Sequence, residues 1–294
     1  MTATPVRLAF SRLGFVAILT ASGLVTGLDA ASAQGPAGSV KLAPHIAIYD
    51  LKLTSSRGKR GLESVRGRIV YDFSGSSCDG YALKFRQVTE LDSGEGKVAL
   101  SDLRTSTWEE GDGKSFRFTS ENFMDDAKIS QVDGQADRGN SDVAVKLNKP
   151  EAKGFDVGAV VFPTEHMRRL IEAAHAGRNL LEVAVYDGSE SGEKIYQSLS
   201  VIGRRIEPDK KPEDAAAGKD VLAGLARWPV TISYFDKVAK KPGADQAGEQ
   251  TPIYAITFEM YENGISRALK LDYGDFVIDG KMTSLEVLPA KACQ

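Results

Sequence analysis

Apolar and polar residues alternate with a period of two over much of this 294-residue chain, and that period is the signature of half-buried β-strands. In 65–73, Val65, Ile69, Tyr71 and Phe73 share one face while Arg66, Arg68 and Asp72 share the other. In 81–91 the apolar set is Tyr81, Leu83, Phe85 and Leu91, against Lys84, Arg86 and Glu90. Val143, Val145 and Leu147 repeat the pattern in 142–147, and Ile265, Leu269, Leu271 and Tyr273 repeat it in 265–273. Noisier runs occupy 46–53, 98–105, 116–119, 181–186, 195–202, 230–235, 253–260 and 282–288. One polar face per strand is what an antiparallel sheet with a solvated side produces. The fold expected is therefore mainly β: a large curved, predominantly antiparallel sheet.

The punctuation agrees with strands. Gly111-Asp112-Gly113, Asp187-Gly188, Asn263-Gly264 and Asp279-Gly280 read as compact turns between alternating runs. Two stretches, 207–220 and 239–252, are rich in Pro, Gly and charge, and they read as exposed surface loops of a single domain. One helix stands out, over about 164–176. Thr164 is its expected cap and Gly177 its stop. Met167, Leu170, Ile171 and Ala174 form its single apolar stripe. A lone helix of that kind closes one side or end of a curved sheet.

The first 33 residues read as a cleaved export signal. Arg7 and Arg12 precede an apolar run from Leu13 to Leu28, and Ala31-Ser32-Ala33 is an A-x-A site that sets the mature start at Gln34. The run is short for a membrane span and is diluted by Thr20, Ser22, Gly23, Thr26 and Gly27. No cysteine follows it to carry a lipid anchor, and no later segment is apolar enough to cross a bilayer. Cleavage removes Arg7, Arg12 and Asp29 and shifts the formal net charge from −3 to −4. A mildly acidic chain without basic runs offers nucleic acid no electrostatic footprint.

Motifs for reaction chemistry are missing. Gly113-Lys114-Ser115 ends like a phosphate loop, but position 108 is Trp where that motif needs Gly. His166 and His175 stand nine residues apart on the expected helix, on opposite sides at about 100° per residue, and His45 is remote in sequence. No G-x-S-x-G elbow places a serine nucleophile. Asp125-Asp126 and Asp133-Gly134 lack calcium-loop spacing and read as solvated turns. Trp108 and Trp228 read as core residues. No catalytic residue, metal site or cofactor is assigned, and the ligand-binding residues are not identifiable from sequence.

Cys78 and Cys293 are the two cysteines of the chain. In an exported protein an even pair favours a disulfide over free thiols or a catalytic cysteine. Neither cysteine sits in C-x-x-C or beside a cationic helix start.

The export signal, the Ser77-Cys78-Asp79-Gly80-Tyr81 segment opening a strand, Phe162-Pro163-Thr164-Glu165-His166 at the helix start, and near-terminal Cys293 together resemble the bacterial cell-envelope integrity protein EipB family. The resemblance covers nearly all of the chain after residue 33. It implies a periplasmic protein with a spiral, broken β-sheet and a disulfide joining early and C-terminal segments, here Cys78 and Cys293. It further implies a role in envelope maintenance under stress, and an architecture similar to periplasmic carriers of lipids and lipoproteins. No catalytic residue carries over. The reading that follows is a non-enzymatic periplasmic protein that binds a lipid, lipoprotein or envelope partner. A module docking another envelope component is the alternative, and an envelope hydrolase is the least supported.

Overall fold

The computed structural model describes residues 40–57, 61–94, 96–214, 216–217, 220–236, 250–290 and 293. The export signal 1–33, its cleavage point between Ala33 and Gln34, and most of loop 239–252 lie outside them.

Among the described residues, fourteen strands form one antiparallel sheet. The first eight are β1 (His45–Ser56), β2 (Ser64–Ser76), β3 (Gly80–Asp92), β4 (Val98–Glu109), β5 (Ser115–Met124), β6 (Ala127–Arg138), β7 (Val143–Lys149) and β8 (Lys153–Asp156). After the helix α1 (Pro163–His175) come β9 (Leu180–Val185), β10 (Tyr196–Ile202), β11 (Arg227–Asp236), β12 (Tyr254–Tyr261), β13 (Ser266–Asp272) and β14 (Phe276–Val287). Each series is a meander in chain order. They join where β14 pairs with β1, from His45 opposite Val287 to Ser56 opposite Phe276.

The outermost strands are then β8 and β9, and the sheet curls until these edges approach. The stretch 157–161 spans them. The Val157 amide donates to the Val143 carbonyl and the Val143 amide to the Gly158 carbonyl. On the other side the Val161 amide donates to Ala184 and the Tyr186 amide to Val161. Bridging the edges in this way pairs backbone groups that an open sheet would leave free.

Alternation places the expected residues inside: Val65, Ile69, Phe73, Tyr81, Val143, Val145, Leu147, Leu269 and Leu271 are buried. Two strands carried no clear apolar signal. In β6 the inward positions are Val132, Gly134 and Ala136, small because Phe118 and Leu147 fill the space: a Cβ on Gly134 would lie 2.7 Å from the Phe118 ring. Asp133-Gly134 is thus strand and not turn, with Thr119 donating to the Asp133 carboxylate. Strand β8 is four residues long and mostly exposed. Asp279-Gly280 is also strand: Gly280 lies between Leu51 and Leu269 of the neighbouring strands.

Loop 207–220 is not simply exposed. Asp214, Ala216 and Ala217 are buried, and a buried ion network holds the loop. Arg267 Nε contacts Asp214 at 3.1 Å, and Arg227 and Arg267 both reach Glu259 at 2.6 Å. Arg227 also donates to the Lys210 carbonyl. Trp228 is core, whereas Trp108 is half-buried on the outer face, where the Arg117 guanidinium covers its ring.

Candidate functional site

The helix covers the largest apolar cluster of the interior. Leu170, Ile171, Ala173 and Ala174 are buried in it, and Met167 is partly buried against it. Burying a leucine such as Leu170 stabilises by about 1.5–3 kcal/mol. Thr164 does not cap the helix. The capping position is Phe162, with Pro163 in the first turn and no local side-chain bond. Two free helix N–H groups, those of Thr164 and Glu165, donate instead to the Glu109 carboxylate at the end of β4, at 2.7 and 2.8 Å. Burial raises the Glu109 pKa to about 7 against the pull of those two donors. At the other end Gly177, at φ +67°, permits the paired bonds that close the last turn: Gly177 N–H to Ala174 and Arg178 N–H to Ala173.

Beneath α1 the two walls of the curled sheet do not meet. They leave between them a partly open chamber with two adjoining lobes, of about 250 and 190 Å³. His45, Tyr71, Met167, Ile256, Phe258 and Gly264 line both lobes. The first lobe runs under the helix to His166, Asp187 and Tyr234; the second is bounded by Ile69, Phe85, Gln87 and Tyr254. The lining is mainly apolar, and among the described residues no Lys or Arg is part of it.

Its two histidines are held neutral. Burial, and then the Arg169 charge, lower the His166 pKa to about 4, and burial lowers that of His45. Burial raises Asp187, although Ser189 donates to its carboxylate. The His45 ring nitrogen Nδ1 lies 2.7 Å from the Ala43 carbonyl, and Tyr49 donates to the Ser266 carbonyl at 2.6 Å. His166 is 4 % exposed, and its Nε2 has no partner among the described residues. A buried polar atom in that condition is costly unless something binds it. A row of rings in contact, Tyr196, Tyr234, Tyr254, Tyr273 and Phe276, continues from the chamber toward the end of the sheet opposite the Asp214–Arg267 network.

Two of the three histidines therefore share one lobe, although 121 positions separate His45 from His166. His175 faces elsewhere, edge-on to Trp228. No local signal marks the first two, since the curl of the sheet is what brings them together. Gly111-Asp112-Gly113 is a hairpin tip in which the Gly113 amide donates to Glu110.

Cys78 and Cys293 are joined by a disulfide, with Cα atoms 5.7 Å apart. Cys78 lies in the turn between β2 and β3, and Cys293 follows β14, whose end pairs with the start of β1. The bridge thus ties the C-terminal tail across β1 to the β2–β3 turn. In the chain-entropy account a loop of 215 residues stabilises by up to about 5 kcal/mol.

A single antiparallel sheet curled into a barrel-like shell, helix-covered and hollow under that helix, is the class of protein these features define. The chain belongs to the EipB-like family, whose family model matches residues 36–289. It is 38% identical over 257 residues to the cell envelope integrity protein EipB of Brucella abortus (strain 2308), across 87% of this chain and 88% of that protein. A crystal structure of a β-barrel-like protein of domain of unknown function DUF1849 from Brucella abortus is similar with a TM-score of 0.76 and 36% identity. That match covers 85% of this chain and all of the other. Among the described residues no helix is long and apolar enough to cross a membrane.

Proposed function

We propose that this protein is a non-enzymatic periplasmic binding protein that supports cell-envelope integrity by holding an apolar ligand, the acyl part of a lipid or lipoprotein, in the chamber under α1. The chamber itself carries this reading: two apolar lobes lined by Tyr71, Phe85, Met167, Ile256 and Phe258, set between a helix and the curled sheet. The relationship to a cell envelope integrity protein supports the setting. Export through the signal 1–33 would deliver the chain to the periplasm, with Gln34 as first residue. N-terminal sequencing of the exported protein checks that start; a start before residue 30, or retention in the membrane, counts against it. Purification from the periplasm followed by organic extraction and mass spectrometry tests the carrier function. Lipid at near-stoichiometric yield is expected, and protein that is consistently free of lipid contradicts it.

A second reading has one observation of its own. Leu180, Leu199 and Val201 lie together on the outer face of β9 and β10, at the sheet edge, 61%, 36% and 48% exposed. An envelope partner docked there would be detected by crosslinking in cells, and the crosslink should disappear in Leu180→Glu/Val201→Glu.

A further inference from the structure

The walls of the chamber restrict the kind of amphiphile it can take. An apolar cavity of about 150 Å³ accommodates one benzene ring, so the two lobes together suit roughly 15 non-hydrogen atoms, the size of one acyl chain with a small head. Two chains, or a bulky head enclosed with the chain, would not fit.

Charge narrows the choice further. An anionic carboxylate or phosphate drawn into an apolar cavity must find a cation there or lose its hydration uncompensated. Among the described residues the chamber offers none. Arg169 is paired with Glu165, and Arg168, whose Nε has no hydrogen-bond partner among the described residues, lines neither lobe. Asp187 stands in the same lobe as His166, and a second carboxylate beside it would raise the cost. What the lobe does offer is hydrogen bonding from neutral groups: the unpartnered His166 Nε2, with Thr107 and Tyr234 lining the same lobe. A hydroxyl, ester or amide satisfies such groups without a charge.

We infer that the chamber selects a single-chain amphiphile with an uncharged head, an acyl ester, acyl amide or long-chain alcohol, and that His166 Nε2 hydrogen-bonds that head while the chain fills the second lobe. This inference rests on the carrier reading above and adds to it the ligand's head chemistry and the residue that reads it.

The test uses protein of residues 34–294, freed of lipid, in which bound 1-N-phenylnaphthylamine is displaced at pH 7.5 by monodecanoylglycerol or by decanoate. The uncharged ester should displace the probe at a concentration at least about tenfold lower than the carboxylate, given the cost of burying an unpaired charge. His166→Leu should weaken the glyceride relative to the probe by about three- to tenfold, the scale of one hydrogen bond. Asp187→Asn should narrow the gap by improving decanoate. Equal or tighter binding of decanoate overturns the head-group inference and leaves a lipid carrier standing. So does glyceride binding that is indifferent to His166→Leu in protein that still takes the probe. If neither ligand nor probe binds, the carrier reading fails and the inference fails with it.

Discussion

Around Phe118 the interior of the sheet is filled to contact; around Phe258 it is hollow. Both regions arise from the same alternation and both lie inside the same curl. In the first, Phe116, Phe118, Phe162 and Tyr186 pack ring on ring, with Phe116 and Phe162 centroids 5.0 Å apart. Gly188 shows how little space is left there: it sits at φ +68°, and a Cβ on it would come within 2.3 Å of the Phe118 ring. In the second, partly buried Phe85, Tyr254, Ile256 and Met167 border space that no side chain occupies. Protein interiors normally close such gaps, because unfilled volume forfeits dispersion and costs stability. A gap kept beside a closely packed core of the same sheet is the space into which the proposed ligand would fit.

The largest contrast is expected on truncation. Phe118→Ala should cost about 3–5 kcal/mol, the range for deleting an enclosed aromatic ring. Phe85→Ala, half-buried and facing empty space, should cost less than about 2 kcal/mol. Equal shifts in urea midpoint would show that the hollow side is as tightly filled as the other. The helix over the chamber gives the next contrast. Leu170→Ala should cost about 2–5 kcal/mol, whereas Arg169→Ala, which loses an exposed i,i+4 ion pair, should stay within about 0.5 kcal/mol. Similar losses would mean that the helix docks by another face.

Enlargement reverses the logic. Ala136→Leu in the filled region should destabilise by about 1–3 kcal/mol, but Ile256→Phe, which grows into the chamber, should change stability by less than about 0.5 kcal/mol. The smallest effect is the pH response of the helix cap. The Glu109 pKa is raised from 4.5 to about 7 in the fold, so the folded state holds the proton more firmly than the unfolded state. Its contribution is present below pH 4.5 and lost as pH rises through 7. Glu109→Gln should flatten that fall in thermal midpoints recorded between pH 4.5 and 7.5. Parallel profiles for the two proteins would show that Glu109 is not responsible.

The strands and the helix were legible because burial on one side of a sheet or helix writes its period into the sequence. Val65, Ile69, Tyr71 and Phe73 announce β2 by that period alone. Strand β6 was not legible, because its inward positions are small where Phe118 and Leu147 supply the bulk. Asp279-Gly280 misleads for the same reason, since leucines on both neighbours stand in for the side chain Gly280 lacks. Loop 207–220 has the composition of an exposed segment, yet Asp214 is drawn inward by Arg267, and Ala216 and Ala217 are buried with it. The helix cap is invisible locally because Glu109 lies 55 residues before Thr164. The chamber is invisible altogether. Each wall residue reads as ordinary core, and only the curl of the sheet sets Tyr71 and Phe85 opposite Ile256 and Phe258 without joining them.

The most direct test of a ligand chamber is to fill it without unfolding the protein. Met167→Trp places an indole at the junction of the two lobes, and its thermal midpoint should stay within a few degrees of the parent protein. Titrated with 1-N-phenylnaphthylamine, the parent should saturate near one probe per chain, and the filled variant should show almost no enhancement. A folded Met167→Trp protein that binds the probe as well as the parent would contradict the account.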